Sequence, residues 1–265
     1  MATNLWTDVE ALARLADITR TVEDPSGHGG FEDGVPALAG DAGSPVEIGA
    51  VELPARVVSG DFHGAFMVAD DVLALAIADI SGKGVPAGVL RAFTSSMVRS
   101  VSSFSASPEA VLTRVNQMIH GARLEALYVT IFLGWLDLPT GRLRYANAGH
   151  PCPFRISAAG NVRPLGEVTG PILGILDDVS FGAGEERLDP GEVVFMYTDG
   201  VTEARNASGR FIGPRGLGTL LARHATAPVS SMCAAVAEAV DAHGGGSRHD
   251  DATLLAVRWN GGVAA

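Results

Sequence analysis

The sequence predicts an α+β chain in which antiparallel sheets carry helices on their outer sides. Two observations point there. Most short apolar runs are joined by tight turns, the signature of hairpins. The helical stretches come in adjacent pairs, whereas a parallel sheet needs strands and helices to alternate one by one. No internal repeat is visible in the 265 residues.

Taken in order, Leu5, Val9, Leu12, Leu15, Ile18 and Val22 recur every three or four positions. That spacing predicts an amphipathic helix over Trp6 to Val22. Residues 24–45 are rich in Gly, Pro, Asp and Ser and read as a linker. Residues 1–45 therefore stand apart, as a helix and linker, from a main domain over 46–259. Val46 to Leu53 alternates like a strand, and Phe66 to Ala69 with Val72 to Ala78 reads as a hairpin turning at Asp70-Asp71. Pro86 to Ser103 is a helix. Ser107-Pro108-Glu109 starts the next, with Ser as N-cap and Pro at the first helical position, running to His120.

Short strands follow: Leu127 to Leu136, the turn Asp137 to Gly141, and the return Arg142 to Asn147. Phe154 to Ile156 is another. Val179 to Leu188 and Glu192 to Tyr197 read as a pair joined by Asp189-Pro190-Gly191. Helices around Arg215 to His224 and Val229 to Ala242 precede a last strand, Ala252 to Trp259. Residues 260–265 are small and read as a frayed tail.

Composition narrows the function classes. The chain is 47% hydrophobic and 18% charged, which fits a soluble globular protein. A net charge of -11 and no basic cluster argue against a nucleic-acid surface. No apolar run approaches the ~20 residues of a membrane span, and the opening residues lack a signal peptide's apolar core. Cys152 and Cys233 form no metal spacing and read as buried thiols of a cytoplasmic protein. Lys83 is the single lysine.

The candidate chemistry centres on Val72 to Leu90. A buried strand ends in a carboxylate, Asp79; a glycine turn, Ser81 to Gly84, follows; then Pro86 opens a helix. A carboxylate at the mouth of a buried strand is costly unless something positive meets it. Gly60-Asp61, Asp199-Gly200 and Asp250-Asp251 each lie beside an apolar run and a turn-forming residue. The four acidic places read together as meeting around metal ions. Taken singly they are ordinary: Asp199-Gly200 reads as a plain turn, and Asp250-Asp251 as a solvated strand entry. His63 reads either as a ligand or as a solvent or core histidine. His150 reads more as a hydrogen-bonded turn former than as a base. Gly82-Lys83-Gly84 lacks both the acid of a dinucleotide fingerprint and the spacing of a P-loop.

Ser59-Gly60-Asp61-Phe62 and Ala78 to Ala87 resemble the opening blocks of the RsbU/SpoIIE-type serine/threonine phosphatases, a bacterial branch of the PPM (PP2C-like) class. Thr130-Ile131-Phe132, Tyr145 to Pro151, Tyr197 to Ala204 and Asp250 to Leu255 continue the series in order, so the resemblance covers about 46–259. It implies an α-β-β-α sandwich of two antiparallel sheets flanked by helix pairs. It implies a metal-dependent phosphoserine/phosphothreonine phosphatase using two ions, Mn2+ or Mg2+. Carried over, Asp61, Asp79, Asp199 and Asp250 fall on metal-ligand positions, Ile80 on that of a carbonyl ligand, and Asp61 and Asp79 on the acids that act through metal-held water. Asp250 is chosen over Asp251 because the first acid of that block is the usual ligand. The usual substrate in this family is a phosphorylated anti-sigma-factor antagonist, and helices before the domain often pair subunits, which makes Trp6 to Val22 a candidate homodimer contact. One departure stands out: His63-Gly64 replaces the usual Tyr-Asp after the first block.

The donor types agree with that implication. Carboxylate and carbonyl oxygens suit hard divalent ions, and two such ions ~3.5–4 Å apart can grip a phosphate oxygen and ready a water for in-line attack. No Gly-x-Ser-x-Gly elbow supplies a protein nucleophile. Lys83 is a candidate phosphate contact or a brace for its turn. A partner-binding pseudophosphatase and a small-phosphoester phosphatase are the competing readings.

Overall fold

A computed structural model describes residues 44–55, 59–82, 84–123 and 127–262. The expected helix over Trp6 to Val22, the linker as far as residue 43, and Lys83 lie outside the described residues.

Among the described residues, ten strands form two antiparallel five-stranded sheets. The first holds β1 (Val46–Leu53), β10 (Ala252–Trp259), β9 (Val193–Tyr197), β6 (Phe154–Ile156) and β7 (Val162–Pro164), in that spatial order. The second runs β2 (Phe62–Ala69), β3 (Val72–Ile80), β4 (Val129–Asp137), β5 (Arg142–Ala148), β8 (Gly184–Arg187). Helices α1 (Val85–Ser102) and α2 (Pro108–Gly121) cover the outer face of the second sheet. The one-turn α3 (Asp199–Thr202) follows β9, and α4 (Gly213–Arg223) and α5 (Val229–Gly244) cover the outer face of the first.

Residue parity along the strands builds these layers. In β3, Leu73, Leu75 and Ile77 face the other sheet, where they pack with Val194, Met196, Leu255 and Val257. Ala74, Ala76, Ala78 and Ile80 face outward onto Leu90, Phe93, Met97 and Leu112 of the helix pair. In β9 and β10 the outward set is Phe195, Tyr197, Leu254 and Ala256, packed on Leu217, Leu221, Met232 and Val236. Strands buried on both faces read as continuous apolar runs, which is why β3 and β9 look alike in the sequence.

One expected hairpin does not form. Of Val179 to Leu188, only Gly184–Arg187 is a strand, and it pairs with β5 in the second sheet. β9 pairs with β10 and β6 in the first. Asp189-Pro190-Gly191 therefore carries the chain from one sheet to the other. Arg155 explains the arrangement: from β6 its guanidinium meets Glu186 of β8 at 3.1 Å and also holds Glu192, so ion pairs across the sheets replace a backbone ladder. The start of α2 also differs in detail, since Ser107 precedes Pro108 with extended backbone but makes no side-chain cap. Asn260 still bonds Pro45 and Ser44 beyond β10.

Candidate metal centre at the mouth of the two sheets

Register places the first two acids side by side. Phe62 pairs with Ala78, so one step further along this ladder sets Asp61 beside Asp79 and Gly60 beside Ile80. Gly60 makes the approach possible: a Cβ there would stand 2.9 Å from the Ile80 carbonyl oxygen and 3.9 Å from Asp79 Oδ1. The Ile80 carbonyl oxygen and Asp79 Oδ1 thus both face the space beside Gly60. Parity turns Asp79 toward the other sheet, whose β9 ends at Tyr197 and delivers Asp199 two residues later.

Thr198 joins the two sheets. Its hydroxyl donates to Asp61 Oδ2 at 2.7 Å, and it accepts the Thr253 N–H at 2.9 Å. The Thr198 N–H donates to the Thr253 carbonyl at 3.1 Å. This relay spans β9, β10 and the entry of β2. Asp251 supplies a second brace, its two oxygens accepting the N–H groups of Ala55 at 2.7 Å and Gly60 at 2.8 Å. With both oxygens so engaged, Asp251 holds the loop, while Asp250, exposed at the rim, accepts the Asp251 N–H at 3.0 Å through Oδ1. Gly200 is equally constrained, since a Cβ there would lie 1.9 Å from the Asp251 carbonyl oxygen. Arg248 clamps Asp241 through two contacts of 2.8 and 2.7 Å and so steadies the loop that leads to Asp250.

The electrostatics show that these acids share one field. Burial pushes the Asp79 carboxyl up to about 7, helped by the charges of Asp199, Asp250 and Asp251 and partly offset by a hydrogen bond from Asp61. Burial also raises Asp61 well above the usual carboxylate range, and the Asp79 charge adds to it against the Thr198 and Thr253 hydrogen bonds. Asp199 is raised by burial, then by Glu203 and Asp250. Like charges crowded in a half-dry site favour protonation or a cation. Among the described residues, no ion pair neutralises Asp61, Asp79, Asp199 or Asp250.

Among the described residues no three His, Cys, Asp or Glu side chains form a ready single-ion cage. A magnesium-type site does not require one, because such ions bind through one or two carboxylates and fill the rest of their shell with water and substrate oxygens. Four all-oxygen acids in one field, beside a carbonyl, fit that pattern.

The histidines sit elsewhere. His150 is fully buried and held well below its usual range, at about 3, by burial. Its Nε2 lies 3.1 Å from the Tyr197 carbonyl and its Nδ1 2.9 Å from Thr130 Oγ1. The carbonyl requires a donor, so Nε2 carries the proton and the Thr130 hydroxyl donates to Nδ1. With Asn147 Oδ1 accepting the His150 N–H at 2.8 Å, this is a neutral turn former. His63 meets Glu52 at 3.0 Å on β1, beside Arg91. Sequence reasoning missed Thr198, Thr253 and the brace role of Asp251; the hydroxyl directly before Asp199 was the available signal.

Comparison with known proteins completes the picture. The layered sandwich is that of PP2C-like phosphatase domains. The profile of the family described as Stage II sporulation protein E (SpoIIE) matches residues 69–260, so the chain belongs to the SpoIIE family. Protein IcfG of Synechocystis sp. is 32% identical over 81% of this chain and 38% of its own length. The phosphoserine phosphatase RsbU of Bacillus subtilis is 28% identical over 80% of this chain and 63% of its own. The solved RsbU and RsbW domains of Rv1364c from Mycobacterium tuberculosis superpose with a TM-score of 0.73 at 25% identity, covering 83% of this chain and 62% of that one. The chain thus spans less than two thirds of these relatives' lengths. Among the described residues no helix is long and apolar enough to cross a membrane.

Proposed function

We propose that the chain is a metal-dependent protein serine/threonine phosphatase using two ions, Mn2+ or Mg2+. The observation that carries this reading is the shared field of Asp61, Asp79, Asp199 and Asp250, which come from four segments and both sheets and have no cationic side chain among the described residues to balance them. These four acids and the Ile80 carbonyl would hold the ions. Bound there, such ions supply Lewis-acid charge to a phosphoryl group and to water.

The chain's own groups have distinct tasks. Asp61 and Asp79 hold the centre of negative charge, and the Thr198 hydroxyl fixes the orientation of Asp61. Asp251 keeps the loop at Gly60 in place. A thiolate route is disfavoured, because burial pushes the Cys152 thiol up and Cys233 to about 12. Hydrolysis by water, with the protein supplying charge and position, is the chemistry left.

For the substrate, the family resemblance favours a phosphorylated anti-sigma-factor antagonist, met in the cytoplasm, and the likeness to the phosphoserine phosphatase RsbU favours phosphoserine. Residues 6–22 are proposed to pair two copies, and Lys83 to lie near the phosphate.

The test is release of phosphate from a phosphoserine protein by the purified chain. Turnover with Mn2+ that stops on adding EDTA is expected. Undiminished turnover in EDTA would overturn the metal-dependent reading, and tight binding without turnover would make the chain a pseudophosphatase.

A further inference from the structure

Beside the carboxylates lies a cavity of about 130 Å³. It sits between α3, the C-terminal part of α5 and residues 247–250. Asp250 and Gly200, neighbour of Asp199, form part of its wall, so the cavity adjoins the carboxylate mouth on its Asp250 side. It has room for about one side chain of a bound peptide.

Two arginines line it, and they are used differently. Arg248 spends its fork on Asp241. Arg205 is stacked on the Phe211 ring, its guanidinium carbon 4.7 Å from the ring centre. A bridge between the backbones of Arg205 and Phe211 fixes the two residues to each other. Among the described residues Arg205 meets no carboxylate. A planar cation held by stacking has little freedom left to lose when it takes a bidentate acid. Phe211 is 44% exposed, so this pair stands at the surface where a protein substrate would lie.

We propose that this cavity is the subsite for the residue next to the phosphorylated serine, and that Arg205 selects an acidic side chain there. The inference rests on the phosphatase reading and names what that site prefers. Glu203 also lines the cavity. If Glu203 governed the subsite instead, a basic neighbour would be favoured.

The experiment uses the full chain and matched phosphoserine peptides carrying Asp, Asn or Lys beside the phosphoserine. Binding is read by fluorescence anisotropy and turnover by phosphate release in Mn2+. The wild type is expected to bind the Asp peptide about five-fold more tightly than the Asn peptide, an exposed ion pair's worth of selectivity. The preference should shrink at high salt. In turnover it should show in KM and not in kcat, as for a group that binds ground and transition states alike. Arg205→Gln should bring the ratio to about one, Arg205→Lys should restore part of it, and Arg205→Glu should invert it toward the Lys peptide. Melting curves confirm that each variant is folded. No preference in the wild type, a preference for Lys, or an unchanged ratio in Arg205→Gln would overturn the subsite. Loss of turnover with the binding preference intact would overturn the phosphatase reading and leave the subsite standing.

Discussion

The two ends of β9 treat acidic residues in opposite ways. At its start, Glu192 is almost fully buried, yet Arg155 holds it together with Glu186, and Arg163 reaches Glu186 at 3.1 Å. At its finish, Asp199 joins Asp61, Asp79 and Asp250 with no arginine or lysine answering them among the described residues. Both clusters bridge the same two sheets. The chain thus pairs its acids where they serve structure. On the proposed reading, the carboxylates left in one another's field at the other end would be the place kept for a cation from outside.

That contrast can be broken from either side. The largest effect is expected at the Asp199 end. Asp79→Asn should lower Mn2+-dependent turnover at least about a hundredfold, because it removes charge from the centre of the ion site. The same change should leave the metal-free melting temperature unchanged or higher, since it relieves carboxylate repulsion. Turnover like the wild type's would remove Asp79 from the site.

The opposite pattern is expected at the Glu192 end. Arg155→Ala strands the buried Glu192 without its ion-pair partner, while Arg163 still meets Glu186, and should cost about 3 kcal/mol in urea unfolding. Mn2+-dependent turnover should stay within about two-fold. A stable but inactive Arg155→Ala protein would show that the two ends are not independent.

A smaller effect, in pH, separates the ends again. Asp79, raised to about 7, and Asp61, also raised, both bind protons more tightly in the fold than in the unfolded chain. Their contribution to stability is therefore full below the ordinary carboxylate pKa of about 4 and is lost as pH climbs through about 7. Metal-free protein should lose melting temperature between pH 5 and 8. Asp79→Asn should flatten that slope, and Arg155→Ala should not. A slope unaltered in Asp79→Asn would assign it to other groups.

Much of this was legible in the residues. Val46–Leu53, Phe154–Ile156 and Ala252–Trp259 match the expected strands residue for residue, because each is an apolar run closed by turn formers. Asp79 is legible as a carboxylate at the mouth of a buried strand, whereas Asp61, Asp199 and Asp250 are acids beside apolar runs and turn formers that stand out only when the family's blocks are taken together. β7 was not visible, since three residues ending in Pro164 carry no period. The Asp189-Pro190-Gly191 turn looked like a hairpin because a local turn signal says nothing about which sheet its flanking strands join. Thr198 donating to Asp61 and Asp251 holding Gly60 are contacts 137 and 191 residues apart along the chain. Only the register of β2 on β3 and the stacking of the sheets create them.

The central claim is that acids from both sheets make one cation site. Calorimetric titration of the full chain with Mn2+ tests it without reference to any substrate. Wild-type protein is expected to bind Mn2+, and Asp79→Asn from the second sheet and Asp199→Asn from the first are each expected to weaken binding by at least about tenfold, roughly 1.4 kcal/mol. Binding that survives either change at wild-type affinity, or no binding by the wild type, would contradict the account.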